Sequence, residues 1–200
     1  MAEKAVEIVR GEFVESTAYA DVAVVDSLGR LVAWSGDPEQ STFWRSSAKP
    51  FQAMPIILSG AIHDLNLTGA DLAILTSSHG GEKRHVERVE ALLARIGALL
   101  EELACGVHWP STYSARQAMT ESGEVPSVLH NNCSGKHTGM LILARQLGVS
   151  SQGYLEPDHP VQVRILQNIR RMTGLSMHAP IPTSTDGCGV PTFYLPLASS

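Results

Sequence analysis

Four short stretches of this chain bring nucleophilic, basic or metal-ligating side chains close together. They are Arg45-Ser46-Ser47-Ala48-Lys49, Ser77-Ser78-His79-Gly80-Gly81-Glu82, His130-Asn131-Asn132-Cys133-Ser134-Gly135-Lys136-His137 and Asp186-Gly187-Cys188-Gly189-Val190-Pro191. In the first, Ser46 and Lys49 are three residues apart, which on a helix puts a hydroxyl and an amine on one face. A serine becomes nucleophilic when a base takes its proton, and a lysine serves as that base where burial or a neighbouring cation keeps its amine neutral. The bare Ser-x-x-Lys pattern is common, and a helix-capping serine beside a solvated lysine accounts for most isolated matches.

The second stretch joins an apolar run, Asp71 to Thr76, to an amphipathic helix, a place where backbone amides and a hydroxyl can face a ligand. By itself it also reads as a capping loop. His79 and His85 as metal ligands lack a third partner at local spacing. In the third stretch Ser-Gly-Lys before a helix invites a phosphate-loop reading, but that motif wants glycine at His130 and Ser or Thr at His137. Cys133 and Cys188 are too far apart in sequence for a zinc finger. Folding would have to bring them together, with a neutral Lys136 amine as third ligand beside two thiolates that suit zinc.

The elements around these stretches follow from periodicity. Residues 5 to 35 alternate and are rich in β-branched side chains, which predicts an antiparallel hairpin or meander. Gly36 to Ser41 reads as a loop. Ala48 to Ser59 reads as a helix with Pro50 in its first turn, so Ser46 falls near a helix start. Val86, Val89, Leu92, Leu93 and Ile96 recur at helical spacing, and further helices are predicted over 114–121, 138–147 and 158–173. No linker or repeat interrupts the 200 residues, so a single α+β domain over 1–200 is expected. Phe193 to Ala198 reads as an apolar element just beginning, and the chain is read as C-terminally truncated.

Composition narrows the function classes. At 44% hydrophobic and 18% charged residues the chain has the balance of a globular protein. Fifteen Lys and Arg against twenty Asp and Glu leave a net charge of -5, which disfavours a nucleic-acid partner. The first ten residues do not have the form of a secretory signal, and no stretch approaches the ~20 apolar residues of a membrane span. A cytoplasmic protein without a membrane partner is expected. Three cysteines, an odd number, argue against a disulfide framework.

Together, RSSAKPFQA, SSHGGE, HNNCSGKHTGML and TDGCGVP resemble the rhizobial-type (class 3) L-asparaginases of the asparaginase II family, in order and approximate spacing, over nearly the whole chain. The resemblance implies a serine-β-lactamase-like α/β fold, an antiparallel sheet with flanking helices and here incomplete, and a homodimer. It implies hydrolysis of L-asparagine to L-aspartate and ammonia by two Ser-Lys pairs. Ser46 and Lys49 match the first pair. Ser78 matches the serine of the second, whose lysine lies beyond Ser200, so the chain as given is expected to be poorly active. It further implies a zinc site on Cys133, Lys136 and Cys188, with Lys136 also near substrate. Asp186 matches a residue that holds the substrate's α-amino group, and Arg45 is placed as a carboxylate clamp. Two alternatives stay open: another serine-lysine hydrolase, such as a glutaminase or a β-lactamase-like enzyme, and an inactive zinc-stabilised binding module. The Ser-Asp-Asn motif of β-lactamases is absent, and Lys136-His137-Thr138-Gly139 matches their Lys-Thr-Gly only if His137 is skipped.

Overall fold

The computed structural model describes residues 1–176 and 178–199. The chain divides into two compact units, Met1–Trp44 with Pro180–Pro182 and Phe193–Ser200, and Arg45–Ala179 with Thr183–Thr192.

The first unit is built from short antiparallel pairings. β1 (Glu3–Arg10) pairs with β2 (Phe13–Ala20), and β3 (Val22–Val25) with β4 (Leu31–Ser35). The predicted hairpin or meander is therefore two separate hairpins. Asp26 closes the second one: its carboxylate accepts the Leu28 and Arg30 backbone N–H groups at 2.9 Å each, and Gly29 takes the left-handed conformation the turn needs. β5 (Ser41–Phe43) is the third early strand. Late in the chain come β6 (Thr183–Thr185), which belongs to the second unit, and β7 (Pro191–Pro196). β5 lies antiparallel to β7, with Ser41 opposite Pro196 and Phe43 opposite Tyr194.

The second unit is helical. A 3-10 turn, Arg45–Ala48, runs directly into α1 (Lys49–Leu58) and is followed by α2 (Ala61–Asp64), α3 (Gly69–Thr76) and α4 (Lys83–Arg95). α5 (Tyr113–Ser122), α6 (Ser134–Gln146) and α7 (Pro160–Thr173) complete it. Small antiparallel sheets together with helices make this the mixed α+β chain that the periodicity predicts.

α6 is the core helix, buried at every position from Ser134 to Ala144 and packed on α1, α3, α4 and α7. Its glycines permit the close approach. A Cβ at Gly135 would collide with the Ile74 carbonyl oxygen, and one at Gly139 would lie 2.8 Å from Ile56 Cδ1. α1 carries a proline inside it, Pro55, which has no N–H for the Phe51 carbonyl one turn earlier. Asn168 of α7 supplies the missing donor at 2.8 Å, so the defect in one helix fixes its neighbour. The apolar run before Ser77 becomes α3 because Thr68 and Asp71 form a capping box at its start. Asp71 is fully buried, 3.1 Å from Arg88 and 3.3 Å from Arg95 of α4.

One boundary differs from the periodic reading. α6 begins at Ser134, not near residue 138, because Asn131 builds the turn that starts it. The Asn131 side chain accepts the Cys133 N–H at 2.8 Å, and its backbone carbonyl accepts the Ser134 N–H at 2.9 Å. The polar first turn is then buried with its hydroxyls satisfied, Ser134 donating to the Leu129 carbonyl and Thr138 to the Ser134 carbonyl, each at 2.9 Å. A hydrophobic pattern is blind to a helix that buries partnered polar atoms.

Candidate active site

All four chemistry-bearing stretches meet within the second unit. Arg45 opens the site in a backbone conformation rare for a side-chain-bearing residue, with φ of 49°, and its N–H donates to Thr192 Oγ1 at 3.2 Å. Such strain persists where surrounding structure over-determines it, and here it delivers Ser46 at the mouth of α1. Lys49 follows in the helix's first turn and is only 1% exposed.

The Lys49 amine lies 2.7 Å from Ser78 Oγ, and the Ser78 hydroxyl lies 3.0 Å from Ser46 Oγ. The three polar groups form a file, Lys49 to Ser78 to Ser46. The sequence reading joined Lys49 directly to Ser46; in the folded chain α3 ends so that Ser78 stands between them. Lys49 Nζ also donates to the carbonyls of Ser77 at 3.1 Å and Asn132 at 3.2 Å. Burial holds the amine below the ordinary lysine range, and the Lys136 cation adds to this, while the sulfurs of Cys133 and Cys188 oppose it.

Behind this file, three histidines do different work. His79 is buried and held down to about 4, chiefly by burial and then by the charges of His85 and Lys49. The Gly81 N–H donates to its Nδ1, so Nε2 carries the proton toward Ser134 Oγ, 2.9 Å away. His108 accepts the Asn132 N–H on Nε2 at 2.8 Å, which leaves Nδ1–H for the Trp109 carbonyl at 2.8 Å. It thereby holds the backbone of Asn132, the residue whose carbonyl meets Lys49. His137, fully buried on α6, lies with Nδ1 2.6 Å from the Tyr154 hydroxyl.

Cys133, at the start of α6, and Cys188, in the turn closed by Asp186 N–H to the Val190 carbonyl at 2.9 Å, line the same cleft. Lys136 Nζ donates to Cys188 Sγ at 3.0 Å. The Cys188 thiol is held well below its ordinary range. The Cys133 thiol donates to it, and this with His137 and the Lys136 ammonium outweighs burial. Cys133 is pushed up, first because it is that donor and then by burial. Among the described residues no three His, Cys, Asp or Glu side chains form a metal-holding group. The donor set here is two sulfurs and one amine nitrogen. Soft sulfur and borderline nitrogen are the donor types that suit zinc.

These ends of the site share one cleft of about 310 Å³, lined by Arg45 and Ser46 on one side and by His108, Asn132, Cys133, Asp186 and Cys188 on others. Ser46 lines it; Ser78 does not. Arg45 Nε pairs with Asp186 Oδ1 at 3.0 Å, so a cation and an anion stand side by side at the mouth. A larger hollow of about 450 Å³ lies near Pro55, Leu143 and Arg164 and has no nucleophile-base pair on its walls.

Every residue singled out from sequence is therefore in one constellation: Arg45, Ser46, Lys49, Ser78, Cys133, Lys136, Asp186 and Cys188. Sequence reasoning missed His108, the orienting role of Asn132, and Tyr154. His108 sits in Gly106-Val107-His108-Trp109-Pro110, a loop with no catalytic spacing to mark it. Tyr154 is a lone aromatic, and only tertiary structure shows what it touches.

Among curated proteins none matches the chain. The model of one family, L-asparaginase II, matches residues 6–200. A match over almost the whole length, carried by a chain whose four motifs fold into a single cleft, places this protein in the L-asparaginase II family.

Proposed function

We propose that this chain is a serine-lysine amidohydrolase that converts L-asparagine to L-aspartate and ammonia through an acyl-enzyme on Ser46. Family membership supports an L-asparaginase-type amidohydrolase in general. The observation that carries the finer reading is the Ser46–Ser78–Lys49 file, whose outer serine alone lines the cleft.

A neutral Lys49 amine has two N–H groups and one lone pair. The Ser77 and Asn132 carbonyls take the two N–H groups, which turns the lone pair to Ser78. Ser78 can then give its proton to Lys49 while accepting one from Ser46, so Ser46 attacks the carboxamide carbon as its proton moves two places inward. The ammonium so formed gives a proton back to Ser78, which passes its own to the amide nitrogen; the C–N bond breaks and ammonia leaves, while Ser46 Oγ, now bonded to the acyl carbon, carries no proton. Water entering the cleft hydrolyses the aspartyl ester by the reverse transfer. Arg45 and Asp186 are complementary to a zwitterionic amino acid: the guanidinium takes the α-carboxylate and the Asp186 carboxylate takes the α-ammonium, each exchanging a partner it already has.

Cys133, Lys136 and Cys188 would hold a zinc ion. When bound, zinc supplies a fixed positive charge that positions a substrate oxygen, with its thiolate shell moderating that charge. The reading extends to a serine-β-lactamase-like fold, supported by Ser-x-x-Lys running into α1 with its lysine buried, and to a homodimer in the cytoplasm. No helix among the described residues is long and apolar enough to cross a membrane.

The test is ammonia release from L-asparagine, with mass spectrometry of the trapped protein. Ser46→Ala is expected to abolish both ammonia and the aspartyl ester. Ser78→Ala should slow the reaction about 10²-fold, the size of one lost proton-transfer step, and still form the ester on Ser46. Full activity in Ser46→Ala would overturn the assignment.

A further inference from the structure

Behind the sulfur pair, the buried His137 and Tyr154 take no part in the proton transfers described above. The Tyr154 hydroxyl accepts the Ala104 N–H at 2.9 Å and lies 2.6 Å from His137 Nδ1, the two rings meeting edge to face at 5.6 Å. Burial pushes the phenol well above its ordinary range, so it keeps its proton. With one lone pair occupied by the Ala104 N–H, that proton goes to His137 Nδ1. Nδ1 is then the acceptor and Nε2 carries the ring's N–H.

His137 Nε2 has no hydrogen-bond partner of ordinary geometry among the described residues. Burial disfavours a charge on the ring, and the sulfur of Cys188 is the first of the surrounding groups that favours one. A buried N–H left without an acceptor is costly, so a ring held this firmly on its far side is placed for something on its near side. Cys188 needs such support. It stands between Gly187 and Gly189 and is otherwise steered by Lys136 Nζ at 3.0 Å, with Asp186 Oδ2 3.8 Å away.

We propose that Tyr154 and His137 are positioning residues: the phenol fixes the imidazole tautomer, and the imidazole presents its Nε2–H to Cys188, setting the direction and strength with which that sulfur binds zinc. The inference rests on the reading of Cys133, Lys136 and Cys188 as zinc ligands and extends it one layer outward, where partners of ligands commonly change metal affinity about 10- to 100-fold.

The test is zinc affinity by competition with a chromophoric chelator on the full chain, with thermal unfolding beside it and the cobalt-thiolate absorption band as a second readout. His137→Leu should weaken zinc by about 10-fold or more and shift the band. His137→Gln, whose amide N–H can occupy the Nε2–H position, should stay within about 3-fold of the parent. Tyr154→Phe keeps the ring packing and removes the tautomer lock, and should weaken zinc about 10-fold. If Leu and Gln variants lose zinc equally and in step with stability, the role is structural and the proposal is overturned. Unchanged zinc affinity in His137→Leu overturns it too. A parent chain that binds no zinc removes the ligand reading itself, and this inference with it.

Discussion

The two units use the same kinds of charged side chain in opposite settings. In the first, Lys4 meets Glu7 at 2.8 Å and Arg10 meets Glu15 at 2.7 Å, on strands whose side chains are largely exposed. In the second, Lys49 and Lys136 are 1% and 4% exposed and Asp71 is wholly buried. Exposed pairs are screened by water and held loosely, so they neither shift a proton equilibrium much nor fix an angle. Buried groups must be partnered, and the partners dictate both. The difference favours the helical unit for the proposed chemistry: a lysine becomes a base only where its amine is desolvated and its N–H groups are spoken for.

The largest break in that contrast is Lys49→Met, which keeps the buried chain length and removes the amine. A fall of about 10³-fold in kcat is expected, equivalent to about 4 kcal/mol of transition-state stabilisation, with the folded state retained. Steady-state ammonia release measures it, and a loss confined to KM would mean that Lys49 binds substrate instead. pH sharpens the same point. The base must be unprotonated, so kcat/KM should rise with pH through the Lys49 titration, and burial places that rise below the range of an exposed lysine. A rise only in the ordinary lysine range would show an amine still reached by water.

Next in size is Asp71→Asn. Burial alone would raise this carboxyl, but hydrogen bonds from Thr68 and Arg88 and the charge of Arg95 outweigh it and leave it below its ordinary value. A carboxylate depressed in the folded state contributes stability at pH values above its unfolded range. That contribution is lost as pH falls through the folded value. Removing the charge leaves two arginines without their shared partner, and about 3 kcal/mol of stability should go at neutral pH, read from urea unfolding. The deficit relative to the parent should shrink in acid. A deficit constant from neutral to strongly acidic pH would mean that the substituted amide fails by packing and not by charge.

How much of this is legible in the sequence depends on what each residue leans on. The amphipathic helix around Val89 and Leu92 is plain, because one apolar face in contact with one core produces a period. Ser46, Lys49, Ser78, Cys133 and Cys188 are legible as types in motifs, because nucleophiles, bases and thiols are few. The order Lys49–Ser78–Ser46 is not, because it depends on where α3 stops relative to α1, and no local pattern encodes that. The start of α6 is hidden by its polarity, since Ser134, Lys136 and His137 resemble a loop until their partners are known. His108 is invisible for the converse reason: what ties it to the site is a hydrogen bond from a backbone amide 24 residues away.

The smallest expected effect tests the exposed side of the comparison. Arg10 and Glu15 flank the β1–β2 turn, with both Nε and Nη2 of Arg10 donating to Glu15 Oε1 at 2.9 and 2.7 Å, a geometry that on paper rivals the Asp71 contacts. Their side chains are 79% and 47% exposed. Water competes for each hydrogen bond, and holding two long side chains in one arrangement costs entropy close to what the attraction returns. A double-mutant cycle with Arg10→Ala and Glu15→Ala should give a coupling under about 0.5 kcal/mol, shrinking further in roughly 1 M salt. A coupling as large as that of Asp71 with Arg88 would show the hairpin arginine to be far better ordered than its exposure implies. Burial would then not be what separates the charges that act in this protein from those that merely face water.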